Sequence, residues 1–290
     1  MTTRILHILA FLLLWGFPAF AAEVVVVQGE RMAPFEAALR GFKATAGVRS
    51  VERLVLSEQR GADVVRSVRE ARPRVVLAIG REALARLKEI REIPVVYVMV
   101  ATPESTGAAS RNVTGVAMNV PAERYLAFAR GTLAGRRVGL LFDPARTGAL
   151  AKEAAQAAER QGVALVSREV RSPRQAMQQL ATLRGKVDVL WLLPDPTVVT
   201  AETMEAIALF SQENRVPVIA FAAKYLQNGA LAAFEVDPAD MGRQAGRMAR
   251  RIMDGAAVEQ VPAEAPARTT LRLNKTVARN LGVSPDLREE

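Results

Sequence analysis

Residues 187–221 have the pattern of a strand, a helix and a second strand. Residues 187–193 are almost entirely apolar, which is typical of a strand buried on both faces of a parallel sheet. The proline-rich turn 194–196 ends that strand, because proline can neither donate to a strand ladder nor continue a helix. A helix is predicted from Thr200, and residues 216–221 predict the second strand. The stretch therefore predicts a βαβ unit, and with it a parallel sheet.

The same pattern occurs once before in the chain. Residues 74–100 predict a strand, a helix and a strand that follows Pro94, as the later strand follows Pro217. The segments before each copy also correspond, because residues 23–56 and 137–170 each predict a strand, a loop, a helix and a strand. A length of 290 residues is enough for about two domains. The sequence therefore predicts an α/β fold of two similar halves in tandem.

The first 22 residues predict a secretory signal peptide. Arg4 precedes an apolar run over residues 5–17, and Ala19 and Ala21 place small residues at the cleavage spacing. The run is too short to span a bilayer, and nothing after it in the sequence is typical of a transmembrane helix. Because the chain contains no cysteine, it has neither a disulfide nor a thiol for a lipid anchor. We therefore expect a soluble, exported protein that is not membrane-anchored and is retained in a periplasm.

Several residue types and motifs that catalysis and cofactor binding commonly use are absent from the sequence, and this limits the classes of function to consider. The one histidine, His7, lies in the predicted signal peptide, so the mature chain has no imidazole or thiol for catalysis or for the usual zinc sites. Neither glycine motif for phosphate binding, G-x-x-x-x-G-K-[ST] or G-x-G-x-x-G, occurs. We therefore predict no cofactor, no metal and no enzyme activity. The less favoured alternative is a carboxylate-based hydrolase, whose candidate groups near predicted strand ends are Glu30, Asp143, Asp195 and Glu235.

The net charge of +9 raises the question of a nucleic-acid partner. The 39 basic residues, most of them arginine, are scattered over every predicted helix, and aromatic residues make up only 5% of the chain. This distribution is typical of solvated helix faces. We therefore predict no nucleic-acid binding.

A ligand cleft is predicted where the two halves meet. Ligands of open α/β sheets lie beyond the carboxyl ends of the strands. Extended crossings over residues 113–120, 231–237 and 256–270 would set those ends across a shared cleft that can close by hinge motion. The predicted ligand contacts are eight loop residues: Gly29, Arg81 and Thr102 from the first half, and Asp143, Thr147, Asp195, Thr197 and Phe221 from the second.

Two kinds of predicted contact have an ordinary alternative. Thr147 and Thr197 lie at or just before predicted helix starts, where free N–H groups bind anions, but N-capping is the alternative role. Phe221, together with the aromatic residues Phe142, Trp191 and Tyr225, could form the walls of the cleft or belong to the core.

Four segments together resemble a known family. They are residues 113–119 (VTGVAMN), 135–142 (GRRVGLLF), 228–255 and 273–283 (LNKTVARNLGV). The ordered set is similar to the substrate-binding components of ABC importers of the tryptophan/tyrosine-transport type. The resemblance implies a type I periplasmic-binding-protein fold, with two Rossmann-like lobes, parallel sheets and three hinge crossings. It also implies a small-molecule ligand, and a membrane permease with a separate ATPase as partners.

The chain departs from that family in the predicted ligand loops. Gly80-Arg81-Glu82, Thr102-Pro103 and the loop from Asp143 to Thr147 replace the family's residues, and Asp195 alone carries over directly. The resemblance therefore extends to the scaffold more than to the ligand.

These observations give one prediction for the whole chain. Residues 1–22 are the signal peptide, residues 23–117 plus 238–262 form the N-terminal lobe, and residues 118–237 plus 263–290 form the C-terminal lobe. We predict a monomeric periplasmic solute-binding protein that captures a small polar ligand, such as an amino acid or a related metabolite, and delivers it to an ABC importer. The alternative is a sensory protein whose closed form docks on a membrane kinase or chemoreceptor.

Overall fold

The computed structural model describes residues 22–59, 61, 63–108 and 110–283. The predicted signal peptide lies outside these residues except for its last position, as does the end of the predicted C-terminal lobe after residue 283. The described residues form two α/β lobes, each built on its own sheet, which confirms the predicted fold class. Within the described ranges, no helix is long and apolar enough to cross a membrane.

The first lobe is built on a five-stranded sheet in which all neighbouring strands are parallel. Its strands are β1 (Val24–Gln28), β2 (Val51–Val55), β3 (Val75–Ile79), β4 (Val95–Val100) and β5 (Val113–Ala117), and they pair in the order β2-β1-β3-β4-β5. Helices α1 (Ala33–Ala46), α2 (Val64–Ala71) and α3 (Arg81–Arg86) connect the first four strands, and a 3-10 turn (Pro103–Thr106) follows β4. Strands β1, β3 and β4 are buried along their whole length, which explains their continuous apolar sequences.

The second lobe is built on a six-stranded sheet. Its strands are β6 (Arg137–Phe142), β7 (Ala164–Glu169), β8 (Val189–Leu192), β9 (Val218–Ala220), β10 (Ala232–Val236) and β11 (Thr269–Leu273), in the order β11-β10-β9-β8-β6-β7. Only β10 and β11 pair in the antiparallel sense. The helices along this part of the chain are α4 (Ala122–Gly131), α5 (Pro144–Gln161), α6 (Pro173–Ala181), α7 (Ala201–Asn214), α8 (Pro238–Met253) and α9 (Lys275–Leu281).

Helix α8 returns to the first lobe and packs against α1. Glycine residues let the two backbones touch, because a Cβ on Gly242 would lie 1.9 Å from the carbonyl oxygen of Ala38. In the same way, a Cβ on Gly41 would lie 2.0 Å from the carbonyl oxygen of Ala239. The apolar face of α8 thereby completes the core on one side of the first sheet.

The chain passes between the lobes three times. The first passage follows β5 at Met118, the second lies between Val236 and α8, and the third follows a bridge in which Glu264 pairs with Val116 of β5. Much of the first two predicted crossings is regular strand, because a short strand and an extended crossing have the same sequence pattern. The lobe boundaries at residues 117, 237 and 262 stay a prediction.

Candidate ligand-binding site

A cavity of about 750 Å³ lies between the two lobes and beside the passages that join them. The volume is in the range of small-molecule sites. All three passages line it, the first with residues 117–121, the second with Val236 and the third with residues 263–265. The carboxyl ends of β4, β8 and β9 reach it through Ala101, Pro194 and Phe221. A molecule in this cavity would therefore contact both lobes and the segments that join them.

Aromatic side chains from both lobes form walls of the cavity. Tyr97 comes from β4 of the first lobe, whereas Tyr125, Trp191 and Phe221 come from the second. The rings of Tyr125 and Trp191 are stacked, with centroids 4.6 Å apart and an interplanar angle of 23°. Phe234 packs against Tyr125 in an edge-to-face arrangement, with ring centroids 4.9 Å apart and an interplanar angle of 74°. Contacts between the rings therefore position this aromatic wall.

Three of these aromatic residues have polar atoms without a protein partner. Tyr97, Tyr125 and Trp191 are only 5%, 4% and 4% exposed. Among the described residues, their hydroxyls and indole N–H form no hydrogen bond, yet these atoms are not sealed inside the protein. Burial, with the negative charge of Glu104, raises the pKa of Tyr97 to about 12, and burial also raises the pKa of Tyr125. Both hydroxyls therefore stay protonated at neutral pH and can donate to a molecule in the cavity.

The charged side chains that line the cavity are mostly acidic. There are four carboxylates, from Glu104, Glu123, Glu153 and Glu264, and two cations, from Arg160 and Lys224. The Arg160 guanidinium lies 2.5 Å from the Glu123 carboxylate, and the Lys224 ammonium lies 5.0 Å from the ring centroid of Tyr225. Four carboxylates against two cations give a lining with a net charge of −2, whereas the whole chain has a net charge of +9.

Two of the carboxylates come from different lobes and interact electrostatically across the cavity. Glu104 lies in the 3-10 turn after β4, and Glu153 lies on α5. More than a third of Glu153 is exposed, but it loses enough water in the cleft for burial to be the main cause of its raised pKa. The negative charges of Glu104 and Glu123 raise this pKa further. The cavity therefore concentrates negative charge that its own cations do not fully neutralise.

Four predicted ligand contacts come together, but they bond to one another. The buried Asp195 carboxylate, 1% exposed, accepts hydrogen bonds from the N–H groups of Asp143 at 2.7 Å and Thr197 at 2.9 Å, and from the Thr147 hydroxyl. The Thr197 hydroxyl donates to the Asp143 carboxylate at 2.9 Å. Helix α5 begins before Thr147, whose backbone is non-helical. These four side chains tie the loop after β6 to the loop after β8, and their contact with a ligand stays a prediction.

Of the other four predicted contacts, Phe221 alone lines the cavity. Gly29 is buried just after β1, and Arg81 is the exposed first residue of α3. The Thr102 hydroxyl lies 2.9 Å from the hydroxyl of Ser105 in the same turn. Their roles as ligand contacts also stay predictions. The predicted cleft wall formed by Trp191 and Phe221 coincides with the cavity, whereas Phe142 and Tyr225 pack against the core.

Sequence reasoning missed several cavity residues. No helix was predicted over residues 122–131, although Pro121 at its start and the apolar stripe of Tyr125, Phe128 and Ala129 are typical of one. Tyr97 also had a signal, because its hydroxyl needs a partner within an otherwise aliphatic buried strand. The acidic lining had no comparable signal, because its members are far apart in the sequence.

Two lobes, three passages between them and a cavity at their junction define a type I periplasmic-binding-protein fold. The family model described as ABC transporter substrate binding protein matches residues 54–287. The chain therefore belongs to the family of ABC transporter substrate-binding proteins.

Individual relatives are distant. A tyrosine-binding protein of Clostridioides difficile (strain R20291) is 22% identical over 208 residues, which cover 69% of this chain and 60% of that protein. A ligand-free, open substrate-binding protein with adhesive properties from Clostridium difficile is 19% identical, with a TM-score of 0.73 over 91% of this chain and 96% of that one. An ABC domain from Streptococcus pneumonia in complex with L-Trp is 20% identical, with a TM-score of 0.62 over the same shares. At these identities the solved structures support the fold alone.

Proposed function

We propose that this protein is a soluble, periplasmic solute-binding protein that captures a small ligand between its lobes and delivers it to an ABC importer. The importer would consist of a membrane permease and a separate ATPase, and the binding protein would act as a monomer without catalysing a reaction. The observation that carries the proposal is the cavity of about 750 Å³, which both lobes and all three passages line. A ligand there contacts both sides of the hinge, so its binding can favour one angle between the lobes.

The cavity lining supports a ligand with an aromatic or apolar body and a polar group. Tyr97, Tyr125, Trp191 and Phe221 offer ring surface, and the unpartnered polar atoms of the first three offer hydrogen bonds. One relative is named for binding tyrosine, and one similar structure contains L-Trp. An aromatic amino acid or a related metabolite is therefore the first group of ligands to test.

A thermal-shift screen of amino acids, amines and related metabolites tests the proposal, after native mass spectrometry of gently purified protein has identified any ligand that copurifies. A ligand that binds only the folded state stabilises it by RT ln(1 + [L]/Kd), about 2.7 kcal/mol at a hundredfold excess over Kd. We expect at least one compound to raise the melting temperature. If no small molecule in the screen stabilises the protein, the proposal is wrong.

Two variants connect binding to the cavity. Phe221→Ala removes a ring from the cavity wall and is expected to weaken binding about tenfold through lost apolar contact. Leu209→Ala is the control, because Leu209 is exposed on α7 and does not line the cavity. Calorimetric titration of both variants with the compound from the screen measures the difference. Equal affinities of the two variants would place the ligand elsewhere. Delivery is tested by measuring uptake of that compound by cells that lack the protein, and we expect this uptake to be lost.

A further inference from the structure

We infer that the cavity selects an organic cation, an amine with an aromatic body and no carboxylate, over the corresponding amino acid, because carboxylates dominate its charged lining and aromatic faces form its walls. The inference rests on the proposed function and specifies its ligand class. Two independent features of the cavity carry it.

The first feature is the sign of the charge. The lining has a net charge of −2 within a chain of net charge +9, so the cavity does not follow the average of the protein. Glu104 and Glu153 approach from different lobes, and each lies where a ligand between the lobes would be. A positive group between them is attracted by both carboxylates, whereas a negative group is repelled by both.

The second feature is the set of buried aromatic groups that have no protein partner for their polar atoms. Tyr97, Tyr125 and Trp191 are each more than nine-tenths buried, and their hydroxyls and indole N–H are unpaired among the described residues. Faces of tryptophan and tyrosine attract ammonium groups through the ring quadrupole. A tyrosine hydroxyl can also accept a hydrogen bond from an ammonium N–H. The aromatic faces and the tyrosine oxygens therefore complement an amine independently of the glutamates, whereas the indole N–H of Trp191 can only donate and suits an acceptor elsewhere on the ligand.

An amino acid would in addition need a partner for its carboxylate. Among the described residues that line the cavity, the two basic side chains already have other contacts. Arg160 pairs with Glu123, and Lys224 is an exposed side chain that lies over the ring of Tyr225. A carboxylate would therefore have to displace one of these contacts or rely on the neutral donors of Tyr97, Tyr125 and Trp191, while the glutamates of the lining repel it. The amino acid consequently binds less favourably than the amine.

Matched pairs of ligands test the inference. Tryptamine differs from tryptophan, and tyramine from tyrosine, only by the carboxylate, so isothermal titration of the full mature chain with each pair isolates that group. In at least one pair, we expect the amine to bind at least about tenfold more tightly than the corresponding amino acid. Equal or tighter binding of the amino acid in both pairs would overturn the inference. Absence of binding by all four compounds would also overturn it, and the proposed function would then depend on whether another compound in the thermal-shift screen binds.

A substitution on α5 provides the second test. Glu153→Gln removes one negative charge from the cavity, and Glu159→Gln removes one from the exposed face of the same helix, outside the cavity. We expect Glu153→Gln to weaken amine binding about tenfold and to leave amino-acid binding unchanged or stronger, because only the amine uses this charge. Glu159→Gln should change neither affinity. Equal weakening of amine and amino acid by Glu153→Gln, with the fold intact by circular dichroism, would contradict the inference.

Discussion

Replacing Asp195 by alanine tests whether the buried network between the loops after β6 and β8 is structural or belongs to the ligand surface. The Asp195 carboxylate accepts from the N–H groups of Asp143 and Thr197 and from the Thr147 hydroxyl. Alanine leaves these donors buried without an acceptor. A hydrogen bond to a charged group is worth roughly 1.5–3 kcal/mol, so with some relaxation we expect the free energy of unfolding to fall by about 4 kcal/mol.

An exposed carboxylate provides the matched control for this experiment. Asp237 accepts from the N–H groups of Ala239 at 2.8 Å and Asp240 at 3.2 Å at the start of α8, and Asp237→Ala should cost only about 1 kcal/mol. Urea denaturation monitored by circular dichroism measures both losses, and Asp195→Asn, which keeps the side-chain volume, is the milder variant if alanine prevents folding.

Ligand affinity decides between the two roles of Asp195. If the network is structural, folded Asp195→Ala should bind the ligand with an affinity close to that of the unchanged protein, since the carboxylate has no role at the cavity surface. Isothermal titration below the unfolding midpoint makes the comparison. A stability loss no greater than that of Asp237→Ala, or a large loss of affinity in the fully folded variant, would refute the structural role.

Two further substitutions test the helix contact and the cavity charge. Gly242→Ala should lower the free energy of unfolding by roughly 1–3 kcal/mol, because its Cβ would lie 1.9 Å from the Ala38 carbonyl oxygen. Gly148→Ala on α5 is the control, because its Cβ would meet no atom nearer than 3.9 Å. It should stabilise the protein by about 0.5–1 kcal/mol, as measured by urea denaturation. Similar effects of the two substitutions would contradict the close contact between α1 and α8. The raised pKa of Glu153 means that folded protein holds this proton more tightly than unfolded protein, so stability is lost as the pH rises from the ordinary glutamate pKa through the raised value. Glu153→Gln should therefore raise the melting temperature of the ligand-free protein at about pH 7. It should not do so at about pH 3, where the carboxyl is protonated in both the folded and the unfolded state. A change in melting temperature equal to that of Glu159→Gln at both pH values would contradict this prediction.

The sequence predicted the larger architecture because buried parallel strands leave a continuous apolar pattern. The run over residues 187–193 contains β8, and the helix predicted from Thr200 is α7, with the Thr200 side chain as its N-cap. The helix predicted within residues 74–100 is α3, which is short because it ends at Arg86. Leu84, Leu87 and Ile90 recur every three residues, and this spacing suits the turns that follow α3 as well as a longer helix.

The candidate site was only partly predictable from the sequence. The strand-end rule brought Asp143 and Asp195 together, but spacing along the chain cannot reveal that their hydrogen-bonding capacity is used within the protein. Glu153 has the helical spacing of an ordinary solvated face, and only the arrangement of the two lobes places it near Glu104. In the sequence, Tyr97 and the other aromatic residues of the cavity wall cannot be distinguished from core residues, because the cavity lies at the edge of the core.

The position of the like charges on opposite lobes also bears on how a ligand would close the cleft. If closure brings Glu104 and Glu153 closer and removes water from both, their repulsion favours separated lobes when no ligand is bound. A ligand shifts such an equilibrium only by the difference between its affinities for the two forms. The proposed amine gains most where both carboxylates are near its ammonium group, which is the closed form. A neutral molecule of the same shape would leave the repulsion between the two carboxylates in place. The carboxylates that select a cationic ligand would therefore also make closure of the cleft depend on binding that ligand.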